Sequence, residues 1–174
     1  KSFTPNELDL TVSRQLFNDK VSFPGLEELN LGYMRNTMEI WDKQIPALSF
    51  SKLLELHVVC FDKLLAVVPS NLLRKVQYLE TLTIENCSSL EEVFDTEGLD
   101  IGEGYAKPLS RLRDLRLRSL PRLMHLWNMD SNVYMGFQSL SFLIIYHCDC
   151  LRNIFSPYIA GTLEQLISLE IENC

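Results

Sequence analysis

One apolar phrase recurs six times along this chain, and a phrase that returns at near-constant spacing leaves few folds open. It reads aromatic or aliphatic, two residues, Leu, two residues, Leu, one residue, then Leu, Ile or Val. The copies are Phe23, Leu26, Leu29, Leu31; Phe50, Leu53, Leu56, Val58; Val76, Leu79, Leu82, Ile84; Leu109, Leu112, Leu115, Leu117; Phe137, Leu140, Leu143, Ile145; and Leu163, Leu166, Leu169, Ile171. From each first Leu to the next the spacing is 27, 26, 33, 28 and 26 residues. Units of that length stack coil on coil, because no single unit can hide its own apolar face. The 174 residues are therefore read as one continuous array instead of one or two globular domains.

Within the phrase the last two apolar residues stand at i and i+2, which puts both on one face of a strand and turns the residue between them outward. Each unit thus contributes one short strand, and successive strands run parallel about 4.8 Å apart. The expected fold is an α/β leucine-rich-repeat solenoid, with a curved parallel β-sheet on the concave side and loops and short helices on the convex side. About six repeats fill residues 23–174, the last incomplete. Residues 1–22, whose alternation Leu8, Leu10, Val12 does not fit the register, are read as the tail of a preceding repeat or an insertion loop. The chain stops just after a strand and neither end carries a polar capping unit, so a longer parent array is expected.

After each strand comes another inward position, an apolar residue three further on, then an apolar pair: Cys87, Leu90, Val93-Phe94; Leu120, Leu123, Leu126-Trp127; Cys148, Leu151, Ile154-Phe155; and Phe61, Leu64, Val67-Val68. The first repeat is looser, with Met34, Met38 and Ile40-Trp41. This return path is expected to carry the core to the convex side. Two helices are expected there, one opened by Ser70 and running through Leu72, Leu73 and Val76, the other opened by Ser156-Pro157 and leading through Ile159 and Leu163. The long spacing is assigned to a solvated acidic loop from Asp95 to Pro108, with a shorter polar excursion from Asn128 to Gly136.

Leucine supplies 31 residues and the formal charge is -7. A negative chain is a poor ligand for phosphate backbones or anionic lipid, so neither nucleic acid nor a membrane surface is expected as partner. No apolar run approaches the roughly 18 residues of a spanning helix, and the first residues lack an apolar signal core. Five cysteines, an odd number without dense pairing, are read as reduced thiols in a cytoplasmic setting. Cys87 and Cys148 are read as small buried turn residues whose S–H meets a main-chain carbonyl left free where the ladder ends. Cys148 and Cys174 fall on adjacent coils, near enough to approach.

Catalytic chemistry finds no constellation. Of His57, His125 and His147, the last adjoins Cys148, yet neighbouring strand residues point to opposite faces and the two side chains diverge. The run His147-Cys148-Asp149-Cys150 lacks the paired spacing of a structural zinc site. No catalytic residue, metal ligand or cofactor is expected.

The phrases Leu82-Thr-Ile84-Glu-Asn-Cys87-Ser-Ser-Leu90-Glu-Glu-Val93-Phe94, Leu115-Arg-Leu117-Arg-Ser-Leu120-Pro121-Arg-Leu123-Met-His-Leu126-Trp127 and Cys148-Asp-Cys-Leu151-Arg-Asn-Ile154-Phe155-Ser156-Pro157 resemble the repeats of plant disease-resistance proteins of the coiled-coil, nucleotide-binding, leucine-rich-repeat type. The similarity covers roughly residues 21–174, and the chain lacks the Gly-x-Ile-Pro turn usual in extracellular plant receptors. The resemblance implies a region that senses a pathogen effector or a guarded host protein and restrains a nucleotide-dependent switch. There is no Gly-x-x-x-x-Gly-Lys-Ser/Thr phosphate loop here, so ADP or ATP binding would belong to a nucleotide-binding domain elsewhere in the parent chain. The alternative is a leucine-rich-repeat substrate receptor of a ubiquitin ligase, or a scaffold.

Outward residues form three columns across the sheet: Glu28, Glu55, Thr81, Asp114, Phe142, Ser168; Asn30, His57, Thr83, Arg116, Ile144, Glu170; and Gly32, Val59, Glu85, Arg118, Tyr146, Glu172. Arg116, Arg118, Phe142, Ile144 and Tyr146, with His57, Glu85, Asp114, Glu170 and Glu172 around them, are the candidate protein-binding residues, since exposed aromatics beside arginine compose binding hot spots. Equally, Phe142 and Ile144 are open to cover by a neighbouring loop, and the arginines to simple pairing with Asp114, Glu85, Glu170 or Glu172. Six strands of five residues make about 460 Å² of sheet, against about 800 Å² per partner in a stable interface. Weak binding by this array alone is the expectation.

Overall fold

The computed structural model describes residues 2–3, 15–18, 20, 22–99, 107–127, 135–155 and 157–174. Numbered along the chain, the strands are β1 (Ser2–Phe3), β2 (Gln15–Phe17), β3 (Glu28–Gly32), β4 (Glu39–Trp41), β5 (Glu55–Val59), β6 (Ala66–Val68), β7 (Thr81–Glu85), β8 (Glu92–Phe94), β9 (Asp114–Arg118), β10 (Phe142–Tyr146) and β11 (Ser168–Glu172). Each copy of the phrase becomes one five-residue strand. They join into a single parallel sheet ordered β1-β3-β5-β7-β9-β10-β11, seven strands where six phrases were counted, because Ser2–Phe3 pairs alongside β3. The register is unbroken: Leu29, Leu56, Leu82, Leu115, Leu143 and Leu169 stand opposite one another across it. Parallel pairing follows from the coil, since every strand is re-entered from the same side after a return path. The chain is a leucine-rich-repeat solenoid with little helix.

The apolar pairs of the return paths build a second, narrower parallel ladder. There β2 pairs with β4 and β6 with β8, and single bridges join Glu92 to His125 and His125 to Asn153. The indole of Trp41 donates to the Val67 carbonyl at 2.7 Å, tying β4 to the next coil. Between the two ladders lies the core, in which Leu56, Leu82, Leu115 and Leu143 are wholly buried. Two aromatic clusters sit toward the return side. Phe17, Trp41 and Phe50 meet with centroids 5.0 to 5.3 Å apart, and Phe137 stacks on Trp127 at 5.3 Å and meets Phe155 at 5.6 Å.

Six of the strands end in a device the phrase does not announce. The residue just past each one, Tyr33, Cys60, Asn86, Ser119, His147 or Asn173, takes a left-handed backbone with φ between 53 and 61°. In five of the six this bend aims the residue's N–H at the last carbonyl of the next strand, as from Tyr33 to Val59 at 2.9 Å and from Asn86 to Arg118 at 3.0 Å. Asparagine tolerates that conformation well, Tyr and Ser less so. The carbonyl is therefore not left free for cysteine, contrary to expectation. Glu85 O accepts from Cys60 N and also lies 3.4 Å from the Cys87 thiol, which takes the second lone pair.

The helices are shorter than expected. The first, α1, spans Ser70–Leu73, with Pro69 and not Ser70 at the N-cap and no side-chain cap bond; Val76 lies past its end. The second, α2, spans Pro157–Ala160, and Leu163 follows it in a turn; Ser156, its expected opener, lies outside the described residues. The Asp95 loop begins packed, not solvated: Thr96 and Leu99 are buried, with the Glu97 N–H bonded to the Asp95 carboxylate at 2.8 Å. Asp100, Gly102, Glu103 and Gly104, residues 128–134, and Leu8, Leu10 and Val12 lie outside the described residues. At Gly136 a Cβ would stand 2.9 Å from Lys107 Cβ and 3.1 Å from Pro108 O, so only glycine admits its 2.8 Å N–H bond to that carbonyl. No described helix is long and apolar enough to cross a membrane.

Candidate recognition surface

Period-two alternation fixes which side chains leave the core. With the leucines buried inward, the sheet pairing aligns Glu28, Glu55, Thr81, Asp114, Phe142 and Ser168 in one column, and the other two columns follow in the same register. Arg116, Ile144 and Glu170 are thus direct neighbours, as are Glu85, Arg118, Tyr146 and Glu172. The face is not uniformly open. Thr83 is buried between His57 and Arg116, whereas Phe142 is 40% exposed.

Both arginines are occupied. Arg116 grips Asp114 with two parallel bonds, Nε to Oδ1 at 2.9 Å and Nη2 to Oδ2 at 2.7 Å, the geometry that suits guanidinium to carboxylate. Arg118 reaches Glu85 at 3.4 Å, and its guanidinium carbon stands 5.5 Å from the Tyr146 ring centroid; its Nε is buried without an acceptor. Tyr146 donates its hydroxyl to Glu170, and that bond, which a tyrosinate could not make, raises the phenol above its ordinary range. His57 approaches Glu55 at 3.5 Å at the other end of the face. Such half-exposed pairs contribute less than about 1 kcal/mol each. Their larger effect is to decide which charges remain free for a visitor.

Residues 25–174 match the family described as plant disease resistance protein RPS2-like, leucine-rich repeats. The chain belongs to that family. Neither the curated proteins nor the solved structures yield a match. Membership of the RPS2-like repeats supports a recognition role exercised by protein–protein contact, which suits a face whose outward residues are released from core packing.

In this RPS2-like array His147 and Cys148 do diverge, although the cause is the left-handed turn instead of strand alternation: His147 is exposed and Cys148 buried. Burial pushes the Cys148 thiol up to about 12 and the Cys87 thiol up to about 11, so both are held protonated. Cys174 adds to the rise at Cys148 from the adjacent coil, and all five cysteines are free. Among the described residues no group of three or more His, Cys, Asp or Glu is placed to hold a metal ion. One outward contact escaped the sequence reading: Arg111 lies over the Tyr78 ring at 4.4 Å. Each precedes the first Leu of its phrase, so the same register would have found it.

Proposed function

We propose that this chain is the protein-sensing part of a cytoplasmic plant immune receptor, docking a pathogen effector or a guarded host protein on the outer face of the seven-stranded sheet. It carries no catalysis of its own. Through its repeats it restrains a nucleotide-binding switch domain borne by the same parent chain. The observation that carries this reading is the pairing of family membership with strand β10, on whose outer side Phe142 is exposed and Ile144 and Tyr146 are half-buried. With about 460 Å² of sheet, docking on this array alone is weak.

The test is proximity labelling in infected leaf, with a biotin ligase fused to the chain. Proteins labelled by the native chain should be lost with Phe142→Ser plus Ile144→Ser on the outer face and kept with Leu65→Ser beside the return ladder. Equal labelling by both variants would remove the outer face from the proposal.

A further inference from the structure

The outer face carries Arg116 and Arg118, yet each is already set against a carboxylate of its own. The fork of Arg116 is filled by Asp114, and Arg118 is spent on Glu85 and Tyr146. An incoming carboxylate would meet positive charge that is already balanced, since Asp114 and Glu85 stand against the two guanidinium groups. What stands open beside the apolar strand β10 is negative. Glu170 and Glu172 are exposed on β11, directly across from Ile144 and Tyr146. Among the described residues Glu170 receives only hydroxyl donors, from Tyr146 and from Ser168 at 3.3 Å, which orient it without neutralising it. Neither glutamate has an ion pair among the described residues. The wider field has the same sign, since the chain carries -7 overall and draws cations toward it.

From this we infer that the docked partner presents a cationic amphipathic segment, with a nonpolar side chain seated on Phe142 and Ile144 and a lysine or arginine set against Glu170 and Glu172. The inference rests on the outer face being the docking face. The two glutamates lie two residues apart on one strand, about 6.6 Å, a spacing that alternate residues of an extended chain match. Apolar contact supplies the affinity, and the carboxylates set the sign of the partner and hasten its arrival.

Three peptides test it against the intact chain by amide chemical-shift mapping and titration: an acetylated heptapeptide alternating lysine with phenylalanine and leucine, its glutamate analogue and its serine analogue. The lysine peptide should perturb β10 and β11 and bind at least about tenfold more tightly than the glutamate analogue in about 50 mM salt, the difference shrinking toward about 0.5 M. Glu170→Gln with Glu172→Gln should erase that difference; Glu91→Gln with Glu97→Gln, removing the same charge elsewhere, should not. Equal binding by the glutamate analogue on the same strands overturns the inference and leaves the docking face standing. Shifts confined to Ile167, Leu169 and Ile171, meaning strand addition at the sheet edge, overturn it as well. Absence of binding by all three peptides overturns it too, and the labelling experiment above then judges the face separately.

Discussion

Strands β10 and β11 are written in the same phrase and differ in fate. In β10, Leu143 and Ile145 are wholly buried, while in β11 the corresponding Leu169 and Ile171 are 54% and 44% exposed. Nothing in either strand's own sequence accounts for this. Among the described residues β10 has β9 on one side and β11 on the other, whereas β11 is paired only with β10. A leucine in this architecture is buried by its neighbours' coils and not by its own, so stability is a sum over interfaces between coils.

The comparison is most sharply broken by thiol chemistry. Cys148 and Cys174 occupy the same turn position in successive coils, and both thiols approach a carbonyl two residues back, at 3.6 and 3.3 Å. Only the first is covered. Cys174 and Cys150, both exposed, should label promptly with an aromatic disulfide reagent, and Cys148 and Cys87 at least about a thousandfold more slowly, because they wait on local opening and hold their protons. Labelling of Cys148 at the rate of Cys174, followed by mass spectrometry, would show the interface between the β10 and β11 coils to be open.

Truncation makes the same point in free energy. Leu143→Ala should cost about 3 kcal/mol in urea denaturation, the usual loss for a buried leucine, and Leu169→Ala less than about 1 kcal/mol. Equal losses would mean that β11 is covered in solution.

Cover by neighbouring coils acts on charge as it acts on leucine. Glu92, on the return ladder 3.7 Å from His125, is pushed up to about 7, chiefly by burial and then by Asp95, Glu91 and Glu97. The folded chain then holds the proton more firmly than the unfolded one, so the contribution of Glu92 to stability is full below 4.5 and is lost as pH rises through about 7. Glu92→Gln should remove that fall, gaining about 1 to 2 kcal/mol over the native chain at pH 8 and nothing at pH 4. Parallel pH–stability curves for the two proteins would refute it.

The register of the sheet was legible because a one-residue slip would expose every leucine, so Leu29 through Leu169 could align in only one way. The three outer columns came with it, residue for residue. Less could be read where backbone, not side chain, decides. The left-handed turn is occupied by Tyr, Cys, Asn, Ser, His and Asn in turn, and only the asparagines signal it. Helix α1 stops at Leu73 although the apolar spacing runs on to Val76, since Val76 begins the next phrase. At the candidate surface the residues were visible but their state was not. Asp114 and Arg116 stand two apart, and that they close on each other depends on rotamers no spacing reveals.

That closure has a consequence for how such a molecule can change. Asp114 with Arg116, Glu28 with Asn30, Glu55 with His57 and Ser168 with Glu170 each settle a polar contact inside a single strand. A coil copied or exchanged by recombination thus carries these contacts with it, and contacts between coils, such as Arg118 with Glu85 and Tyr146 with Glu170, are the ones to be made afresh. The outer face can be rewritten one coil at a time, and the stack of leucines beneath it need never be renegotiated.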